Sequence, residues 1–180
     1  IGNRAFAGCY SLTSVTISDG VTMIGNYAFT ECTGLKSVNI SNSVTRIGSS
    51  AFESCTGLES INIPDSVTSI SSRAFQNCTG ELIVDNKTLA GDSNDGLDSW
   101  ISGSKFTKLT IGDSITKIGS YAFDDFTTLT SVTIGNNVSE IAMYAFDNCN
   151  GLTSVYITDL SAWCKITFGN FGANPLNYAT

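Results

Sequence analysis

A 23-residue repeat is the sequence feature that most restricts the folds open to this 180-residue chain. A phenylalanine recurs at this interval, at Phe6, Phe29, Phe52 and Phe75. The unit reads I-x-x-x-A-F-x-x-C-x-x-L-x-x-V-x-I-x-x-x-V-x-x, and it returns in step at Ile118 after an irregular stretch. A unit this short cannot bury its own apolar side chains, so its repetition predicts a solenoid whose neighbouring coils share one core.

The L-x-x-V-x-I segment of each repeat predicts a short strand, because its side chains alternate between apolar and polar. In the first repeat Val15 and Ile17 would face the core and Thr16 would face solvent. Side by side, such strands form a parallel sheet. We therefore predict a right-handed solenoid of about seven coils, with this sheet on one face and short strands or turns on the other. Strands are expected near residues 14–17, 37–40, 60–63, 82–85, 108–111, 131–134 and 154–157.

The other recurring positions of the repeat unit are predicted to serve packing. Apolar side chains at repeat positions are assigned to the core, and the A-F step is expected to be a tight turn or a short helical turn. A glycine directly follows the repeat isoleucine at Gly25, Gly48 and Gly119. Glycine at such a place suits either close backbone packing or a positive φ.

The six cysteines predict a column of buried, reduced thiols. Five share one repeat position, namely Cys9, Cys32, Cys55, Cys78 and Cys149. Side chains in one column point in parallel, which leaves their Cβ atoms too far apart for disulfides. A zinc site is not expected either, because the chain has no C-x-x-C motif and no histidine.

Composition excludes several classes of function. The net charge is −7, and the nine Lys and Arg residues are scattered, whereas a nucleic-acid binder needs a clustered basic footprint. The lack of histidine removes Ser-His-Asp and Cys-His arrangements. No apolar run approaches the ~18 residues needed to span a bilayer. We expect no catalytic residue, metal or cofactor, no nucleic acid as partner and no membrane insertion.

Two segments depart from the repeat, and we treat them as irregular modules at about residues 85–104 and 159–180 of a single solenoid, 1–180, cut from a longer array. The first module contains an acidic stretch from Asp92 to Asp98. This stretch fails the spacing of an EF-hand loop, in which glycine is sixth and glutamate twelfth, so a solvated turn is expected there.

The phrases SVTISDGVTMIGNYAFTECTGLKSVNIS and SVTIGNNVSEIAMYAFDNC resemble the BspA-like, or Treponema-type, leucine-rich repeats. The resemblance covers nearly the whole chain. It implies a leucine-rich-repeat stack in a bacterial surface or secreted protein, with adhesion to host or microbial partners as the role proposed for such proteins. The family has no catalytic residues to carry over.

The outward face of the predicted sheet is the default ligand surface of such a solenoid. Its small polar side chains and one tyrosine are Ser14, Thr16, Ser37, Asn39, Ser60, Asn62, Lys108, Thr110, Ser131, Thr133, Ser154 and Tyr156. Pro64 is expected on the same face. In the second irregular module, Trp163 and Phe171 are the candidate aromatic contacts, because function often collects where a repeat is broken.

These patterns predict a non-catalytic, monomeric interaction module that binds a protein or glycan on a host or microbial surface. One alternative is a purely structural stalk for other domains. A second is a carbohydrate-binding protein with Trp100, Trp163, Tyr156 and Tyr178 stacking on sugars. Burial of all four aromatic residues Trp163, Phe168, Phe171 and Tyr178 would favour the stalk, since only Tyr156 would then remain as an anchor.

Overall fold

A computed structural model of the chain describes residues 1–86, 101 and 103–179. These residues form two compact units. Unit 1 contains residues 1–82, 101 and 103–106, and unit 2 contains residues 83–86 and 107–179. The acidic stretch from Asp92 to Asp98 and Trp100, one of the candidate sugar-stacking residues, lie outside the described residues.

Unit 1 is built from coils of 23 residues that carry two parallel ladders. Its strands are β1 (Ser14–Ile17), β2 (Met23–Ile24), β3 (Ser37–Ile40), β4 (Arg46–Ile47), β5 (Ser60–Ile63) and β6 (Ser69–Ile70). β1, β3 and β5 pair side by side in one sheet, and the two-residue strands β2, β4 and β6 pair in a second. Val15 lies opposite Val38 and Met23 opposite Arg46, so each strand pairs with the equivalent strand one repeat away.

Unit 2 repeats this arrangement after β7 (Glu81–Val84), a strand at the division between the units. Its elements are β8 (Lys108–Ile111), β9 (Lys117–Ile118), β10 (Ser131–Ile134), β11 (Glu140–Ile141), β12 (Ser154–Ile157), the helix α1 (Leu160–Trp163), β13 (Thr167–Phe168) and two 3₁₀ turns, Phe171–Ala173 and Pro175–Asn177. β8, β10 and β12 form one parallel sheet, and β9, β11 and β13 form the other. The predicted parallel-sheet solenoid is confirmed; β7 begins one residue before its predicted place, and the other six long strands begin where predicted.

The repeat phenylalanines form the centre of the core. In unit 1 the Phe29 and Phe52 rings stack with centroids 5.2 Å apart, and Phe52 and Phe75 follow at 5.5 Å. In unit 2 Phe123 and Phe146 stack at 5.5 Å. All five rings are buried. Each coil therefore covers the phenylalanine of the next, as the repeat predicted.

The A-F step is a series of tight turns that hydrogen-bond to the next coil. The N–H groups of Tyr27 and Phe29 donate to Ser49 and Ala51 one coil later, at 2.9 and 2.7 Å. Tyr27 has a φ of 58°, in the left-handed region that non-glycine residues enter at a cost of about 1–3 kcal/mol. The same conformation recurs at the equivalent residues of the other described coils, Arg4, Ser50, Arg73, Tyr121 and Tyr144. The hydrogen bonds between coils offset this cost.

The glycine after the repeat isoleucine serves close packing and not a positive φ. A Cβ atom on Gly25 would lie 2.7 Å from the backbone nitrogen of Asn3, and one on Gly48 would lie 2.7 Å from that of Asn26. Neither glycine has a positive φ. The coils approach each other so closely at this turn that no side chain fits.

We predict that Phe52→Ala lowers the free energy of unfolding by about 3–5 kcal/mol, because it opens a cavity between two stacked rings. The matched control is Phe6→Ala in the same column. Phe6 is 42% exposed and stacks on Phe29 alone, so its loss should cost less than about 2 kcal/mol. Urea unfolding followed by circular dichroism measures both; equal losses would show that the column does not depend on burial.

Candidate interaction surfaces

The outward face of the long strands is a surface of small polar groups. The predicted residues Ser14, Thr16, Ser37, Asn39, Asn62, Lys108 and Tyr156 are exposed, and Ser60, Thr110, Ser131, Thr133 and Ser154 are half-buried. The structure thus places these twelve residues at the surface, and binding by them stays a prediction. Tyr156, which is 58% exposed, is the large aromatic side chain among them.

A shallow open groove runs along the ends of β1, β3 and β5 on this face. Thr16, Asn39 and Asn62 line it together with Asp19 and Ser41. The Ser41 hydroxyl already donates to the Asp19 carboxylate, so part of the polar capacity of the groove is used within the protein. The groove has no aromatic lining and therefore lacks the side chains that dominate protein–protein binding energies.

Pro64 lines the same groove, but it is buried and so offers little accessible area to a ligand. Its carbonyl accepts a hydrogen bond from the Val67 N–H at 3.1 Å, which closes a turn directly after β5. The alternation of inward and outward side chains ends where this turn begins.

A second surface, of which sequence analysis identified only Phe171, lies on the turns of unit 2. We call Tyr121, Tyr144 and Phe171 the aromatic face. Tyr121 and Tyr144 stand one repeat apart, and their rings stack with centroids 5.0 Å apart and planes at 22°. They are 45% and 37% exposed, and Phe171 is 71% exposed.

Backbone hydrogen bonds place Phe171 in the same column as the two tyrosines. The N–H groups of Tyr121 and Phe123 donate to Met143 and Ala145, the residues on either side of Tyr144. One coil later the Phe146 N–H donates to the Gly172 carbonyl at 3.0 Å. The Tyr144 N–H donates to the Asn170 side-chain oxygen, also at 3.0 Å. The backbone of Phe171 is therefore in register with that of Tyr144, although Phe171 lacks the positive φ of the two tyrosines and its ring contacts Tyr178 with centroids 6.3 Å apart.

One signal in the sequence could have found these tyrosines. The residue before A-F is tyrosine at Tyr27, Tyr121 and Tyr144, yet the repeat unit leaves this position unspecified.

In unit 1 the tyrosine at this position contacts a cation: the guanidinium carbon of Arg4 lies 5.2 Å from the centroid of the Tyr27 ring. This distance is within the range of a cation–π contact.

Two aspartates, Asp125 and Asp147, lie on the same turns as the aromatic face. Asp125 is exposed, and its N–H donates to the Asp147 carbonyl at 2.9 Å. The Asp147 carboxylate accepts a hydrogen bond from the Tyr178 hydroxyl at 2.5 Å. Burial, and after it this bond to a carboxylate, raise the pKa of Tyr178 to about 12. The three turns at residues 119–127, 142–150 and 169–178 contain no Lys or Arg, so this surface is acidic as well as aromatic.

The second irregular module places its aromatic residues at different depths. Trp163, at the end of α1, is half-buried, and its ring centroid lies 5.4 Å from that of Phe168. Phe168 and Tyr178 are also half-buried, whereas Phe171 is exposed. The complete burial that would have favoured a structural stalk is therefore not observed.

The cysteine column forms hydrogen bonds instead of disulfides. All six cysteines are free, and the thiols of Cys32, Cys55, Cys78 and Cys149 each donate to a phenylalanine carbonyl 26 residues earlier, at 2.9–3.1 Å. These four side chains are buried, as predicted. Burial raises the pKa of Cys32 to about 11 and that of Cys149 to about 12, and it raises the pKa of Cys78 well above the ordinary thiol value.

Cys9 is exposed, so its predicted burial is wrong. It lies in the first coil of these 180 residues, and no earlier coil within them supplies a phenylalanine carbonyl to bond it or side chains to cover it. Cys164, which stands outside the column, is exposed as well.

In the described part of the chain, no group of three or more His, Cys, Asp or Glu side chains is arranged to hold a metal ion. The helices of that part include none with the length and apolar character needed to cross a membrane.

Comparison with known proteins agrees with this fold. A family model described as BspA type leucine rich repeat region matches residues 1–86 and 98–172 in six copies. No curated protein matches the sequence. Among solved structures, a T. pallidum leucine-rich repeat protein is 24% identical, with a TM-score of 0.52 over 100% of this chain and 71% of that chain.

Two further solved structures are similar over shorter shares of their length. A leucine-rich repeat protein from Eubacterium ventriosum is 30% identical, with a TM-score of 0.50 over 78% of this chain and 38% of that one. The pneumococcal vaccine antigen PcpA is 21% identical, with a TM-score of 0.50 over 87% of this chain and 42% of that one. The chain thus spans less than half of each of these two proteins.

We predict that two of the six thiols react quickly with a thiol reagent in the native protein. Cys9 and Cys164 are exposed, whereas the other four are buried and three of these have raised pKa values, which suppress the reactive thiolate. In denaturant without reductant, all six thiols should react with the reagent. Rapid labelling of Cys55 or Cys149 in the native state would contradict the hydrogen-bonded column.

We also predict that the protein loses stability as pH rises from about 9 towards 12. The folded state holds the proton of Cys149 up to a pKa of about 12, whereas the unfolded thiol loses it near its ordinary value of 9.0. Since the unfolded state then binds fewer protons, alkaline pH favours unfolding. Urea midpoints at about pH 8 and pH 10.5 should differ less in Cys149→Ala than in the wild type. Cys164→Ala, an exposed control, should keep the wild-type difference.

Proposed function

This chain belongs to the BspA-type leucine-rich repeat family, and from that premise we propose that it is a non-catalytic interaction module of a bacterial surface or secreted protein that adheres to host or microbial partners. The observation that carries the proposal is the exposure of large aromatic side chains on the surface of the solenoid. Phe171 is 71% exposed and Tyr156 58% exposed. Exposed tyrosine and phenylalanine are the side chains that supply binding energy at protein interfaces.

A binding role suits the architecture better than a catalytic one. A solenoid presents one long surface made of equivalent positions, which can contact an extended partner. The chain has no histidine, so the commonest general base is absent from its sequence. A surface location for the parent protein is inferred from the sequence resemblance to BspA-like proteins.

Contacts of the aromatic residues favour a protein partner over a sugar. Stacking on a pyranose ring needs a free aromatic face. Trp163 packs against Phe168, and Tyr178 packs against Phe171 while its hydroxyl bonds to Asp147. Tyr121 and Tyr144 cover part of each other's faces. Tyr156 is the aromatic side chain on the strand face that could stack on a sugar without rearrangement.

The proposal is tested by measuring binding of the immobilised chain to a set of host extracellular-matrix proteins and to a glycan array. We expect a protein ligand, whose affinity falls about tenfold or more in Phe171→Ser or in Tyr156→Ser. Circular dichroism and urea unfolding of each variant confirm that its fold is kept. Binding to glycans alone would favour the carbohydrate-binding alternative, and binding to neither would favour the structural stalk.

A further inference from the structure

We propose that the aromatic face of unit 2, together with Asp125 and Asp147, docks a polypeptide segment that carries Lys or Arg side chains. This inference rests on the proposed interaction function and names both the surface and the chemistry of the partner. It goes beyond the sequence-based expectation, which named the polar outward face of the strands and, in the second irregular module, Trp163 and Phe171.

The first support is the continuity of the apolar surface. Tyr121, Tyr144 and Phe171 occupy equivalent positions on three successive coils, and each exposes more than a third of its area. Met143, next to Tyr144, is 51% exposed. Four large apolar side chains exposed on adjacent turns are more than the scattered single residues expected of a non-interacting surface.

The second support is the charge around these rings. A Cβ atom built on Gly172 would lie 2.9 Å from a carboxylate oxygen of Asp147 and 3.2 Å from Cδ1 of Tyr144. The carboxylate and the aromatic ring therefore border the same small residue. Asp125, hydrogen-bonded to the backbone of Asp147, adds an exposed carboxylate. Because these turns contain no Lys or Arg, no cation of their own neutralises the two carboxylates.

The third support comes from unit 1, where the same repeat position already holds a cation on a ring. Arg4 and Tyr27 are equivalent residues of successive coils, both with a φ of 58°, and the guanidinium carbon lies 5.2 Å from the ring centroid. The backbone of this turn thus presents tyrosine in a way that a guanidinium can reach. In unit 2 the residues at this repeat position are all aromatic, so a cation bound to these rings would come from a partner. Arginine and lysine on aromatic rings gain further from nearby carboxylates.

The test uses the intact chain and three synthetic peptides of equal length, each with the same aromatic and aliphatic residues. One carries Lys and Arg, the second carries Gln in their place, and the third carries Glu. By fluorescence anisotropy we expect the basic peptide to bind about tenfold or more tightly than the neutral one, and the acidic peptide not to bind. Binding of the basic peptide should weaken as salt rises. Equal binding of the three peptides would overturn the inference.

Site-specific variants separate this face from the general negative charge of the chain. Tyr144→Ser should weaken binding of the basic peptide about tenfold or more. Serine is compatible with the fold here, because Ser50 holds the equivalent place with a φ of 52°. Tyr27→Ser, the same change at the equivalent position of unit 1, is the control and should bind normally, since that ring is 38% exposed against 37% for Tyr144.

The contribution of the Asp125 carboxylate to binding is tested by two variants that change the net charge equally. Asp125→Asn should weaken binding and reduce its dependence on salt. Asp159→Asn removes an exposed carboxylate at the start of α1, where asparagine caps the helix as well as aspartate does, and should leave binding unchanged. Equal losses in the two variants would mean non-specific attraction and would overturn the inference. Loss of matrix-protein binding in Tyr156→Ser but not in Tyr144→Ser would overturn it too, while the proposed function would stand.

Discussion

Hydrogen bonds between successive coils are the interactions on which every other feature of this protein depends. On the strand side the Lys36 N–H donates back to the Thr13 carbonyl at 2.9 Å. On the turn side the Phe29 N–H donates forward to Ala51 at 2.7 Å. A coil bonded on both walls cannot slide or rotate against its neighbour, so equivalent side chains line up in columns. The phenylalanine stacks and the thiol-to-carbonyl bonds follow from this alignment.

The columns differ in what they contribute. Buried Phe and Cys columns stabilise the stack by excluding water and by pairing the Sγ–H with a backbone carbonyl, which satisfies polar groups inside the core. The exposed Lys36–Glu59 ion pair, at 3.6 Å, contributes little because water screens it. The tyrosine column in unit 2 is exposed and costs backbone strain. Large aromatic side chains at a strained, solvent-facing turn are not needed for the core, and this favours a role in binding.

The two candidate surfaces make different demands on a ligand. The strand face has shallow ladders of hydroxyl and amide groups, several of which already bond within the protein, as Ser41 does to Asp19. A ligand there replaces water with similar polar contacts and gains little at each position. The aromatic face instead removes large apolar area from water and holds carboxylates beside it. A partner with cationic and aliphatic groups gains from both at once.

The sequence by itself determined the period, the places of the strands and the buried core. The two-residue alternation within each strand and the 23-residue spacing are local patterns, and packing cannot change them without exposing apolar groups. Only the tertiary structure decided which irregular residues join which column. Thr167 pairs with Glu140, four residues later than the repeat would place it. The insertion that contains α1 lies outside the ladder, and the chain then rejoins it so that Phe171 falls beside Tyr144. The burial of Pro64 was decided in the same way, by which neighbouring segment covers it, and this is a property of the stack and not of any single coil.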